Sequence, residues 1–152
     1  MRTHFISTLV LAILGAALFA GSDMAAAKTD AASATLTVRN SDYGRILFDG
    51  SNRALYAFTR DPRGQTTCYG ECAVAWPPYI VSGKLTAGAG TSRSLFGTVR
   101  RRDGKRQLTY AGRPLYYYVH DGRGQVLCQN VFEFGGLWLV VRANGKLVRL
   151  PR

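Results

Sequence analysis

Short apolar runs recur along most of this chain, each closed by a cluster of turn residues, and residues 34–39 alternate apolar with polar. Residues 34–39, 45–48, 55–59, 107–110, 115–119, 137–141 and 146–148 are short runs rich in Val, Leu, Thr, Tyr, Phe and Trp, set between clusters of Gly, Asn, Asp and Ser. A strand points successive side chains to opposite faces, so the pattern predicts antiparallel β-structure. Asp103-Gly104 and Asn144-Gly145 between such runs predict type I′ hairpin turns, and Ala111-Gly112 another tight turn. Helical spacing lasts only from Gly70 to Trp76, where Pro77-Pro78 stops it. Residues 82–94, rich in Gly, Ser, Thr and Ala, read as a connector.

The connector separates two copies of one unit. Residues 53–68 (RALYAFTRDPRGQTTC) and 113–128 (RPLYYYVHDGRGQVLC) align without a gap at an offset of 60 and share 8 of 16 residues, where average composition would give roughly one. The fold expected is all-β: two pseudo-symmetric antiparallel repeats, about 36–81 and 95–150, packed as a small sandwich or barrel-like domain with one short helical turn near Cys68 and Cys72.

The amino terminus predicts export. A basic start, the apolar run of residues 5–20 and Ala25-Ala26-Ala27 form a signal peptide, residues 1–27, cut before Lys28. An uncleaved anchor is the alternative, but the run is shorter than the ~20 residues that span a bilayer. Residues 28–35 read as a flexible lead-in. No cysteine follows the run to carry a lipid, and a periplasmic or secreted protein is expected. The mature chain has no methionine and one histidine, His120. That excludes a His- and Met-ligated copper site, and Cys-x-x-Cys-His haem attachment is absent as well. We expect no metal, no cofactor and no catalytic residue.

Charge narrows the partners. The precursor carries 20 basic and 9 acidic residues, a net charge of +11. For an exported chain this points to anionic envelope polymers or a lipid surface rather than nucleic acid. Arg100, Arg101, Arg102, Lys105 and Arg106 are densest, and are expected to crown one exposed turn. Solubility and edge protection explain such a crown as readily as binding.

Tyr56 and Phe58, like Tyr116 and Tyr118, share a strand face. They either surround an apolar ligand at the repeat interface or form the core between the halves. Asp61 and Asp121 suggest a carboxylate pair, but Asp61-Pro62-Arg63-Gly64 suits a type I turn, and a turn-bracing role is expected for both. Cys68 and Cys72, four apart, are placed for a disulfide in an oxidising compartment. That leaves Cys128 as a free thiol, activated by Arg123 and able to link a homodimer. Pairing of Cys128 with either other cysteine, or a zinc site of the three cysteines and His120, are the alternatives.

Tyr56–Asp61 and Tyr116–Asp121 both fit Y-x-(F/W/Y)-x-x-D, and residues 68–78 fit C-x-G-x-C-A-x-x-W-P-P. With Gly97-Thr98-Val99, Thr109-Tyr110-Ala111-Gly112 and Phe134-Gly135-Gly136-Leu137-Trp138, they resemble the bacterial secreted repeats of unknown function, often labelled predicted lipoproteins. The resemblance covers roughly residues 36–145. It implies a fold and an envelope location, and it brings no activity; the missing lipid-site cysteine and the presence of Cys128 depart from it. The reading is a non-catalytic module that binds a ligand or an unidentified protein partner, with a small redox accessory acting through Cys68 and Cys72 as the alternative.

Overall fold

The computed structural model describes residues 34–149. The signal peptide, most of the lead-in and residue 150 lie outside them. In chain order the elements are β1 (Ala34–Ser41), β2 (Gly44–Asp49), β3 (Tyr56–Phe58), the helical turn α1 (Glu71–Ala75), β4 (Leu85–Ala87), a 3₁₀ turn (Arg93–Leu95), β5 (Phe96–Arg100), β6 (Arg106–Tyr110), β7 (Arg113–Pro114), β8 (Val131–Glu133) and β9 (Gly136–Val140). They form three three-stranded sheets, ordered β2-β1-β4, β3-β9-β8 and β5-β6-β7. The result is a sandwich-like all-β domain, with no closed barrel among the described residues.

Two segments at the centre are buried on both faces. Tyr56 and Phe58 point into one apolar cluster with Phe48, Trp76, Tyr116 and Trp138. Leu55 and Ala57 point into a second with Leu36, Leu47, Leu108 and Leu115. Period-two alternation therefore divides apolar residues between two cores instead of between core and water. Where the segments cross, Tyr56 and Tyr116 exchange both backbone hydrogen bonds, N–H to carbonyl, at 2.9 Å each. That exchange lies on the pseudo-twofold axis. The Gly64 N–H donates to the Gly112 carbonyl and the Gly124 N–H to that of Asn52, both at 2.7 Å, so the offset of 60 holds in the bonding as well.

The structure departs from the pattern in five places. Residues 146–148 form no strand, only a bridge from Leu147 to Val141, and residues 115–119 form none either, only isolated bridges from Tyr116 to Tyr56 and Pro78. Their neighbours include Pro77 and Pro78, which lack the N–H a ladder needs, so bonds run one way, such as Tyr117 N–H to the Pro77 carbonyl at 2.9 Å. The connector contains β4, which pairs in parallel with β1 from Ala34↔Leu85 to Leu36↔Ala87. That pairing also takes Ala34 and Thr35 out of the lead-in. Finally, Asp103-Gly104 and Asn144-Gly145 are not type I′: only their glycines have positive φ, 80° and 78°. Asp103 Oδ1 instead accepts from Lys105 N–H at 3.1 Å, and Asn144 Oδ1 from Lys146 N–H at 3.0 Å. These local bonds suit a type I turn followed by a left-handed glycine and a bulge.

Candidate functional site

The duplicated tyrosines and aspartates bond crosswise. The Tyr56 hydroxyl donates to Asp121 Oδ2 at 2.6 Å, and the Tyr116 hydroxyl to Asp61 Oδ2 at 2.5 Å. Each aspartate's other oxygen closes its own loop: Asp61 Oδ1 accepts from Thr67 N–H at 2.7 Å and Asp121 Oδ1 from Leu127 N–H at 2.9 Å. Turn bracing is thus half of each aspartate's role; the other half fastens it to the opposite repeat. Burial pushes both carboxyls above the usual carboxylate range, against the pull of these hydrogen bonds. Burial also raises Tyr56 and Tyr116, and the facing aspartates add to it. The two tyrosine hydroxyls hold their protons and donate them to the carboxylates, as a lock requires.

The third motif position joins an aromatic column. Phe58 stacks on Trp138 at 4.2 Å between ring centroids, Trp138 on Trp76 at 4.1 Å, and Tyr118 packs on Trp76 at 4.8 Å. Tyr56 and Tyr116 meet Trp76 and Trp138 edge-on, both at 5.2 Å. The column obeys the same pseudo-twofold, and Trp76 donates from Nε1 to Glu133 Oε2 at 2.9 Å. Of the two readings of the motif aromatics, the geometry gives the core for Tyr56, Phe58 and Tyr116, all at most 2% exposed. Tyr118 is half-buried at one end of the column.

Arg101 does not crown the turn. It is 4% exposed and donates to Gln107 Oε1 at 2.7 Å, Thr66 Oγ1 at 3.1 Å and the Cys68 carbonyl at 2.9 Å. Thr66 Oγ1 lies 2.6 Å from the Tyr116 hydroxyl, so a polar chain runs from Arg101 to Asp61 through the core. The turn leaves only Arg100, Arg102, Lys105 and Arg106 to solvent. Arg100 and Arg106 face each other across the hairpin, a like-charge pairing that costs stability.

Cys68 and Cys72 form a disulfide with a Cα separation of 5.3 Å across α1. It removes two ligands from the zinc alternative and leaves Cys128 as the free cysteine. Cys128 is half-buried, and burial raises its pKa; the Tyr118 hydrogen bond pulls it down, while Asp121 and Glu133 push it up. The activation expected from Arg123 is not among these influences.

Two clefts open on the surface, the first against Phe58 at one end of the aromatic column, and both have Glu71 in their lining. One, of about 440 Å³, is lined by Phe58, Arg60, Thr67, Tyr69, Glu71 and Phe134. The other, of about 400 Å³, is lined by Glu71, Val74, Ala75, Val119 and His120 and is almost wholly apolar. Cys72 lines the first as well, and sequence reasoning singled out only it and Phe58 there. Arg60, Thr67 and Tyr69 lie in or beside the repeated segment and Phe134 in the Phe-Gly-Gly-Leu-Trp segment, but they come together only through the fold.

Among the described residues no helix is long and apolar enough to cross a membrane. Comparison with curated proteins and with solved structures finds no match. A family profile does match, at residues 37–79 and 97–142, one stretch in each repeat and together more than half of the chain. With two copies of the motif built into one pseudo-symmetric lock, the chain belongs to the family of secreted repeats of unknown function.

Proposed function

We propose that this exported protein is a non-catalytic binding module of the cell envelope that holds an anionic polymer on its arginine-rich surface. One observation carries the reading: the carboxylates are turned inward. Asp49 accepts from Ser51 N–H, Arg53 N–H and the Tyr117 hydroxyl. Asp61 and Asp121 are held in the crossed lock and Glu133 on Trp76. Only Asp42, Glu71 and Asp103 are exposed among the described acids, against arginines and lysines on nearly every turn. Among the described residues the one ion pair is Arg101 with Asp103, at 3.7 Å. Uncompensated surface charge of this kind attracts polyanions and is screened by salt. The same internal use of Asp61 and Asp121 favours a structural role for them over acid–base chemistry. Burial of Cys68 and Cys72, at 0% and 7% exposure, likewise favours a staple over a redox pair.

The test is retention of the purified protein on anionic and neutral polymer matrices across a salt gradient. Retention on the anionic matrix alone, lost with rising salt, is expected; equal behaviour on both overturns the reading. Export through residues 1–27 belongs to the same proposal. It predicts a mature amino terminus at or within a few residues of Lys28, and intact Met1 in the membrane fraction would revive the anchor.

A further inference from the structure

The larger cleft carries an inference that rests on the polyanion reading and sharpens it. We propose that this cleft binds an acidic glycan, a sugar polymer bearing carboxylates, with a sugar ring in the cleft and its acid groups on Arg60 and Arg102. The lining supplies three kinds of contact. Phe134, 40% exposed, offers an apolar face. Arg60 stands beside it, its Nη1 donating to the Phe134 carbonyl at 3.1 Å, which orients the guanidinium and leaves its other donors free. Glu71 is an exposed acceptor in the same lining.

Tyr69 couples this cleft to the basic hairpin. The Arg102 guanidinium lies 3.9 Å from the Tyr69 ring centroid and that of Arg101 4.4 Å from it. The Tyr69 hydroxyl accepts from Arg102 N–H at 3.1 Å, so its own proton points onward as a donor. Stacking holds Arg102 against Tyr69, which lines the cleft, and Arg100, Lys105 and Arg106 continue the positive surface along the hairpin. Thr67, pinned by two hydrogen bonds from its N–H and hydroxyl to Asp61 Oδ1 at 2.7 Å, completes the wall. Its position is therefore set by the family motif.

Glu71 decides the ligand class. A phosphate polymer or a lipid headgroup layer presents dense negative charge and few donors, and an unpaired carboxylate in the cleft repels it. A sugar ring presents hydroxyl donors that Glu71 accepts, an apolar face for Phe134, and widely spaced carboxylates for the arginines. The duplicated position has diverged: Phe58, Arg60 and Thr67 correspond at the offset of 60 to Tyr118, His120 and Leu127. Of these three counterparts only His120 lines the second cleft, which has no arginine.

The probes are oligogalacturonate, dextran, polyphosphate and vesicles containing anionic phosphatidylglycerol, titrated calorimetrically into the mature protein at physiological ionic strength. Oligogalacturonate is expected to bind at one site and dextran not to bind. Phe134→Ala and Arg60→Gln, both at exposed positions, should each weaken oligogalacturonate about tenfold, Glu71→Gln should improve polyphosphate binding, and Arg123→Gln should change nothing. Thermal melts of each variant check the fold. If oligogalacturonate, polyphosphate and vesicles bind alike and neither Phe134→Ala nor Arg60→Gln matters, the cleft inference fails and the diffuse polyanion surface stands. If none of the anionic probes binds, both fail.

Discussion

Replacing Tyr56 by Phe removes a single oxygen from the centre of the lock. The ring stays edge-on against Trp76, so packing is unchanged and only the hydrogen bond to Asp121 is lost. Asp121 is 6% exposed, and no solvent is at hand to replace the donor. A hydrogen bond to a charged group contributes about 1.5–3 kcal/mol. The carboxyl's pKa is raised by burial, so it can relieve part of the loss by protonation, and we expect the lower end, about 1.5–2 kcal/mol. Asp121→Asn should cost less than Asp121→Ala, because the amide oxygen still serves Leu127 N–H while its NH₂ donates to the Tyr56 oxygen. The informative quantity is the coupling. A double-mutant cycle of Tyr56→Phe with Asp121→Ala should show about 1–2 kcal/mol, whereas Tyr56→Phe with Asp61→Ala should be additive within about 0.5 kcal/mol. Urea unfolding with the disulfide intact measures both, provided the slope is constant across variants. Coupling within one repeat as large as coupling between repeats refutes the crossed lock.

Three further outcomes follow from the same core. Tyr56, Tyr116 and Tyr117 have pKa values raised chiefly by burial, so the folded protein keeps protons that the unfolded chain releases above about pH 10. Their contribution is intact below that pH and falls above it by about 1.4 kcal/mol per tyrosine per pH unit, about 4 for the three; reversible tyrosinate absorbance from all eight tyrosines near pH 10 in folded protein contradicts this. Replacing Cys68 and Cys72 together by Ala releases a five-residue loop and should cost about 2 kcal/mol by loop entropy, read from the urea midpoint, with folding preserved at 25 °C. Cys128, half-buried with a raised pKa, should react with a thiol reagent more slowly at pH 7 than a free cysteine and form a linked dimer only slowly; rapid labelling at pH 7 counts against its burial.

Most of the short strands were legible from their apolar runs and turn residues, but that the central segments face a core on both sides was not. The duplication was legible for a simpler reason, since it is written in the residues themselves. The crossed lock was not. Tyr56 lies five residues from Asp61 and 65 from Asp121, and identical copies give no sign of whether a pair closes within a repeat or between them. Arg101 was hidden by its company, because a run of basic residues looks the same whether or not one member turns inward. Its burial depends on Gln107, Thr66 and the Cys68 carbonyl, acceptors scattered over 40 positions. The cleft was hidden likewise, with Phe58 and Cys72 marked by separate motifs that give no sign of meeting, and β4 was too short to raise a periodic signal.

The crossed bonding also constrains how the two copies can change over time. In a tandem duplication whose halves fold independently, either copy is free to drift or be lost while the other preserves the structure. Here the hydroxyl of each copy donates to the carboxylate of the other, so loss of Asp121 is a defect at Tyr56, and a substitution in the first copy selects for its answer in the second. The unit of inheritance is the pair, and neither repeat transplanted alone would bring a complete motif with it.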